Sequence, residues 1–583
     1  MLRRFFRWIL RTALILFAFF LVVVISEYIA HRVQPGSVLL VSMRGPVVER
    51  GDGGLLGLMN PHQTPLNELR SAIDHAAKDE RIVGIAIEVI DPEMELAQAQ
   101  EIVQLIKGFK ANNKWTSAYI ETAGEADPGN LPYMVASTAD EVSLMPQGEL
   151  NLIGVGVREL FARGTLDWLG IVPNFSAFGQ YKSAANMFLN KDFTAEQKLE
   201  DEALVGSMFD QIVAATVAQR KLTSENVKSL IDQAPLNAQA SLKAHLVDRI
   251  EYHDQFTERV KHHGGGAEHK IVEYANYRRP GMFSRLKGPG DEIAVIYGEG
   301  DIQRGDSGIN PLSGPGAPAM TSDDLTEAFK TAREDDNVRA VLFRVDSPGG
   351  SVIASELIRR EVELTAKSKP VVVSMSSFAA SGGYWVSAPA AKIFAEPGTI
   401  TGSIGVVGGK FNVSPAVQKL YANTGAVTRG ANVEMFSMWT DFTPGQAKLF
   451  HDQMLGDTYR DFLKIVADGR HMKTEEVDAV AQGRVWTGEQ ALKIKLVDSL
   501  GGFDDAMTAA KSMARLSVDQ PVGIIELPER PGLLQSLLSG KIGASLGAGA
   551  TNRFADPLIQ LIRAALSGRS VFRAVYCPII PVL

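Results

Sequence analysis

One cysteine, Cys577, stands in 583 residues. A single thiol forms no internal disulfide and rules out a multi-cysteine zinc site. It sits in a C-terminal tail with no histidine nearby, a poor setting for a catalytic thiol. Basic runs are missing outside the extreme N-terminus and the net charge is −8, so charge gives no sign of a nucleic-acid partner. The ten histidines supply no obvious general base. His262, His263 and His269 fall in a Gly-rich stretch, His31 follows the first apolar run, and His451 and His471 lie in charged, helix-like stretches that read as solvated. What remains is an ordinary globular balance, 45% hydrophobic and 22% charged, in a chain too long for one core.

The N-terminus carries Arg3, Arg4, Arg7 and Arg11, then an apolar run from Ala13 to Ile25 ended by Ser26 and Glu27. The run alone fits the core of a signal peptide. Counted from Phe5 through Ala30, with Arg7 and Arg11 reaching toward the head groups, it is long enough to span. No small-x-small cleavage site follows at once, which favours an uncleaved anchor. Arginines before the run place the N-terminus in the cytoplasm and the remainder across the membrane.

An internal repeat organises the rest. Arg50-Gly51 matches Arg304-Gly305 at a shift of 254, and Ile82–Val89 running to Pro92 matches Val338–Val345 running to Pro348 at 256. Tyr133, Pro146 and Gly154 match Tyr384, Pro397 and Gly405 at 251, and Leu246 matches Leu496 at 250. Each copy alternates short β-branched runs (Val38–Val41, Ile82–Val89, Ala294–Ile296, Val338–Val345, Val371–Ser374) with helical spacing (Leu66–Lys78, Leu325–Arg333). Such alternation predicts an α/β fold built on parallel-type sheets. The expected division is an anchor at 1–34, a first domain at 35–262, a linker at 263–290, a second domain at 291–527 and a tail at 528–583. The tail shows one apolar helix candidate, Pro557–Leu566.

A duplicated domain makes each position comparable with its own copy. Asp346-Ser-Pro-Gly-Gly-Ser follows a strand, where glycines let main-chain amides face a cavity; in the first copy Glu93 and Met94 replace Gly349 and Gly350. Ser381, followed by Gly382 and Gly383, suits a tight turn that exposes a hydroxyl beside helix-terminal amides, and its counterpart is Asn130. Serine and glycine pair are thus present together in one copy and absent together from the other. The reverse holds for Lys182 in Gly179-Gln-Tyr-Lys-Ser-Ala: the matching stretch from Gly430 to Phe436 has no lysine. A serine hydroxyl needs a base, and an amine serves once burial favours its neutral form. Phe175, Phe178, Tyr181, Met187 and Phe188 are apolar enough to wall such a pocket. Ser403, between glycines, is the candidate that orients the amine. The bland readings are a strand–helix turn for Ser381, a surface lysine for Lys182 and a turn residue for Ser403.

These segments resemble the signal peptide peptidase A (protease IV) family in its long, duplicated form, over roughly residues 36–510. The resemblance implies two tandem domains of the Clp protease/crotonase type and a Ser/Lys dyad split between them. Ser381 is then nucleophile, Lys182 base and Ser403 the orienting hydroxyl, with Gly349, Gly350 and Gly382 at the oxyanion hole. It also implies cleavage of signal peptides left in the membrane, a homo-oligomer (a tetramer), a place in the bacterial inner membrane with catalytic domains in the periplasm, and no metal or other cofactor. Two other classes stay open: an acyl-CoA enzyme of crotonase type, which would need carboxylate acid/base groups, and an inactive membrane scaffold.

Overall fold

The computed structural model of the chain describes residues 33–51, 63–125, 127–266, 268–277, 290–306, 319–518, 520–529 and 572–576. The expected anchor up to residue 32, Cys577 and the helix candidate at 557–566 lie outside the described residues. Among the described residues no helix is long and apolar enough to cross a membrane.

The first half contributes strands β1 (Ser37–Val48), β2 (Ile82–Glu93), β3 (Trp115–Ile120), β4 (Glu141–Leu144), β5 (Val172–Phe178), β6 (Arg249–Ile250) and β7 (Ile271–Glu273). All but β5 form one parallel sheet in the order β7-β1-β2-β3-β4-β6. Residues 263–290, expected as a linker, thus supply an edge strand to this sheet. Three residues without alternation carry too little pattern to be read in advance.

The second half contributes β8 (Glu292–Glu299), β9 (Val338–Ser347), β10 (Gly349–Ser351), β11 (Val371–Ala380), β12 (Lys392–Ala395), β13 (Ile400–Gly402), β14 (Val406–Asn412), β15 (Val485–Thr487), β16 (Ser499–Leu500) and β17 (Gly523–Leu527), and the tail adds β18 (Phe572–Tyr576). Its main sheet runs β15-β13-β11-β9-β8-β17, parallel except at β15. The β-branched runs fill the centre of each sheet because helices cover both faces. In β11 nine of the ten residues are buried. Helix α1 (Leu66–Lys78) buries Leu66, Leu69, Ile73, Ala76 and Ala77, one stripe at helical spacing.

The two halves repeat each other in detail. The Tyr133 hydroxyl donates to Leu246 O at 2.7 Å, and the Tyr384 hydroxyl donates to Leu496 O at 2.7 Å. Asp248 accepts the Val142 amide and Asp498 the Ile393 amide, each carboxylate also bound by an arginine, Arg220 and Arg470.

Among the contacts that join the halves, two differ in kind. One is a buried charge cluster. Arg344 of β9, 0% exposed, binds Glu49 (2.8 and 3.0 Å), Glu101 (2.6 Å), Ser374 and Ser376. Glu101, on helix α2 (Leu96–Lys110), also takes Arg70 of α1. Such an ion is tolerated in the interior only because every partner is in place. The other is a ladder: β5 pairs antiparallel with β14 over seven residues, from Phe178 opposite Val406 to Val172 opposite Asn412.

Candidate active site

The β5–β14 ladder sets the site. Lys182 follows the end of β5 by four residues, and Ser403 precedes the start of β14 by three. Pairing Phe178 with Val406 therefore brings these two turns together from opposite halves. Ser381 arrives from a third direction, at the end of β11 where the chain enters a short helix, α4 (Gly382–Ser387).

Lys182 is 3% exposed, and Ser381 and Ser403 are 0% exposed. The Lys182 Nζ donates to Ser381 Oγ at 2.7 Å, to Ser403 Oγ at 2.9 Å and to Ser403 O at 3.0 Å. Ser381 has φ 57° and ψ −113°, strained backbone for a residue with a Cβ. Its amide donates to Gly402 O at 2.8 Å and its carbonyl accepts the Trp385 amide at 2.8 Å. These bonds hold the strain and aim the hydroxyl at the lysine. In the first copy the matching Asn130 donates its side chain to Gly154 O at 2.8 Å, a purely internal bond.

The glycine-rich strand β10 lies against this turn. Gly349 and Gly350 have φ 114° and 152°, and the Gly349 amide donates to Ser347 Oγ at 3.2 Å. Gly382 is fixed by space: a Cβ there would lie 2.7 Å from Ser355 Oγ and 3.2 Å from Gly349 Cα. Lys182, Ser381 and Ser403 therefore meet directly, Gly382 adjoins Ser381 in the chain and packs on Gly349, and Gly350 follows Gly349 in β10.

The aromatic residues near Lys182 in the sequence pack in two clusters. Phe175 stacks on Phe188 and meets Phe411 edge-on, and Phe178 stacks on His451 and Tyr459. His451, expected to be solvated, is packed: one ring nitrogen lies 2.7 Å from Ser176 Oγ. Its partners come from the other half, which helical spacing does not reveal. No group of histidine, cysteine and carboxylate able to hold a metal ion occurs among the described residues.

A brace beneath the pocket escaped the sequence reading. Residues Gln482 to Val485 bond to the turns that carry Lys182 and Ser403. Tyr181 N donates to Gln482 O, Gly483 N to Ile404 O, and Ser403 N to Arg484 O, each at 2.8 Å. Gly483 (φ 81°) packs so closely that a Cβ would sit 2.6 Å from the Lys182 amide nitrogen. The Arg484 guanidinium lies over Tyr181 and Trp486 at 5.1 and 4.2 Å. The Val485 amide donates to Glu200 on helix α3 (Ala195–Arg220), a carboxyl with no exposure. Burial pushes Glu200 up to about 8, against the pull of the Val485 bond. One signal was present: at the repeat shift of 250, Gln233-Ala234 stands where this half has Gly483-Arg484.

The family model for Peptidase family S49 matches residues 120–265 and 363–517. The chain is 31% identical over 529 residues to the chloroplastic serine protease SPPA of Arabidopsis thaliana, covering 88% of this chain and 75% of that protein. It is 31% identical over 470 residues to Protease 4 of Haemophilus influenzae, covering 77% and 73%. A shorter relative, a putative signal peptide peptidase SppA of Enterococcus faecium, is 34% identical over 225 residues, 38% of this chain and 64% of that one. With the matched segments lying one in each half and these relatives aligned along most of its length, the chain belongs to peptidase family S49 and is a serine protease.

Proposed function

We propose that this chain is a membrane-anchored endopeptidase with a Ser/Lys dyad, acting on cleaved signal peptides and other apolar peptides. The observation that carries the reading is the buried contact of 2.7 Å between Lys182 Nζ and Ser381 Oγ, contributed by different halves. A neutral amine has two N–H bonds and one lone pair. Directing the two N–H bonds at Ser403 Oγ and Ser403 O leaves the lone pair for the Ser381 hydroxyl, which then donates.

Lys182 takes the Ser381 proton as Oγ bonds to the peptide carbonyl carbon, and the carbonyl oxygen becomes an oxyanion. The amides of Gly350 and Gly382 are the donors we assign to it, with Gly349 engaged at Ser347 Oγ. Collapse breaks the C–N bond, and Lys182 passes its proton to the leaving amine. A water then gives its proton to Lys182 and attacks the acyl ester, and Ser381 leaves with that proton restored.

The substrate class rests on the names of the relatives and on the aromatic clusters that hold Phe175, Phe178 and Phe188. We further assign residues 1–34 to the anchor, with the N-terminus cytoplasmic, and residues 35–262 and 291–527 to two tandem domains of Clp/crotonase type, assembled as a homo-oligomer by family resemblance. A crotonase-type enzyme would need a carboxylate facing the reacting atoms, whereas the groups that meet here are an amine and a hydroxyl.

A fluorophosphonate probe tests the dyad. Labelling is expected at Ser381 and is expected to vanish in Lys182→Met, with the fold checked by circular dichroism. Hydrolysis surviving in Lys182→Met would overturn the reading.

A further inference from the structure

Helix α3 carries carboxyls on the face it buries. Its N-terminal turns bury Gln197, Glu200, Asp201 and Leu204, where an amphipathic helix ordinarily presents apolar groups alone. Glu200 is 0% exposed and Asp201 5%. The helix docks on the second half along this stretch: Ser207 Oγ lies 3.0 Å from Thr487 Oγ1, and Gln490 Nε2 donates to Ala203 O at 3.2 Å. The two carboxyls therefore sit where the halves meet, and the charge of Lys182 acts on Glu200.

A buried carboxylate is an acceptor that needs donors at both oxygens. Glu200 Oε1 takes one, the Val485 amide, while Oε2 and both Asp201 oxygens take none among the described residues. Glu159 accepts Gln197 Nε2 at one oxygen, and its other oxygen and the Ser183 hydroxyl lack a partner as well. The charged groups acting on Glu200 are Asp201 on its own helix, Arg484 of the brace and Lys182. Arg484 offers no hydrogen bond to the carboxyl; its guanidinium lies over Tyr181 and Trp486. An interior anion without donors is far costlier than a neutral acid, so such a group keeps its proton. Burial accordingly raises Glu200 to about 8 and Asp201 to about 7, with Asp201 adding to the rise at Glu200 and Glu159 to the rise at Asp201.

We propose that Glu200 and Asp201 stay neutral carboxylic acids where ordinary carboxyls are ionised, and that Glu200 thereby withholds a counter-charge from Lys182 and leaves it a neutral amine. The inference rests on Lys182 being the base. Passing the Glu200 proton to Lys182 would conserve atoms and net charge, giving carboxylate and ammonium in place of acid and amine. That transfer is opposed because Oε2 would then be an anion with no donor. Glu200 acts through Lys182 and is a positioning residue, set by its charge state as well as by its bond to Val485.

Infrared difference spectroscopy on the full chain at pH 6 tests the protonation. The parent minus Glu200→Gln is expected to show the carbonyl stretch of a protonated acid, and the parent minus Asp201→Asn a second. Carboxylate bands in their place would overturn the proposal. The pH profile of kcat/KM on a fluorogenic peptide tests the consequence for Lys182. The rising limb of Glu200→Gln is expected to coincide with that of the parent. An anion at position 200 would hold Lys182 protonated to higher pH, so its removal would move the limb about one to three units lower; a shift of that size and sign would also overturn the proposal. Hydrolysis surviving in Lys182→Met would instead overturn the base, and with it the role given to Glu200, while the acid bands persisted.

Discussion

Glu200, in the first half of the chain, holds the main-chain amide of Val485 in the second. Through Val485 it fixes Arg484, whose carbonyl accepts the Ser403 amide at 2.8 Å, and so it governs where Ser403 meets Lys182. Glu200→Ala is expected to cost on the order of a hundred-fold in kcat, the scale of an ångström-sized misplacement. KM should move far less, and Glu200→Gln, which keeps an oxygen acceptor, should restore most of the rate at neutral pH. Steady-state kinetics of the two variants check this; equal losses in both would defeat a positioning role.

The same carboxyl makes stability depend on pH. Folding raises Glu200 from 4.5 to about 8, so the native state binds that proton more tightly than the unfolded chain does. Its contribution is complete below pH 4.5 and is lost as pH rises through about 8. Urea melts between pH 5 and pH 9 should show a decline on the order of a few kcal/mol from this group. Glu200→Gln should flatten that part of the profile, and an unchanged slope would count against it.

Ser403 receives two of the hydrogen bonds made by Lys182, one at its hydroxyl and one at its carbonyl. Ser403→Ala keeps the carbonyl and removes the hydroxyl. The expected result is a fall in kcat of roughly ten- to a hundred-fold, at the lower end of what a positioned base contributes. Because turnover needs the neutral amine, activity should climb with pH in both the parent and the variant. Maximal activity already at pH 5 would exclude a lysine base.

Arg344 is expected to be the costliest surface-remote charge to remove. It is 0% exposed and shared by Glu49 and Glu101, and its loss takes the arginine from buried Glu49 and leaves buried Glu101 with Arg70 alone. Arg344→Ala should lower unfolding free energy by about 3–5 kcal/mol, measured by denaturant titration. A change within about 0.5 kcal/mol, the ordinary range of surface substitutions, would show the cluster to be dispensable.

Gly382→Ala separates folding from chemistry. The added carbon would press on Gly349 Cα at 3.2 Å and on Ser355 Oγ at 2.7 Å. The variant should keep its melting profile to within a few degrees, consistent with an overpacking cost of about 1–3 kcal/mol. Hydrolysis should fall by two orders of magnitude or more, as when an oxyanion donor is lost.

The meeting of Lys182 and Ser381 was legible because the chain contains its own control. A serine and two glycines missing from one copy, and a lysine missing from the other, mark chemistry that a single domain would have hidden. Strands such as Val338–Val345 and the helix Leu66–Lys78 were legible because periodicity follows directly from burial. Glu200 was not, since it acts on a main-chain amide, and amides leave no trace in sequence. His451 was misjudged because its stacking partner, Phe178, comes from the other half. The strand at Phe572–Tyr576 was invisible for a related reason. Its partners are more than a hundred residues away, and five residues carry no periodic signal of their own.

The ladder between Val172–Phe178 and Val406–Asn412 has a consequence for biosynthesis. On the proposed mechanism the amine is made some two hundred residues before the alcohol it serves, and the strand that joins them is made later still. On that mechanism a nascent chain is expected to be inactive until its second half has been translated and docked. Two separately expressed fragments should remain inert apart and regain hydrolysis when mixed, so the duplication acts as a built-in delay on a potentially destructive activity.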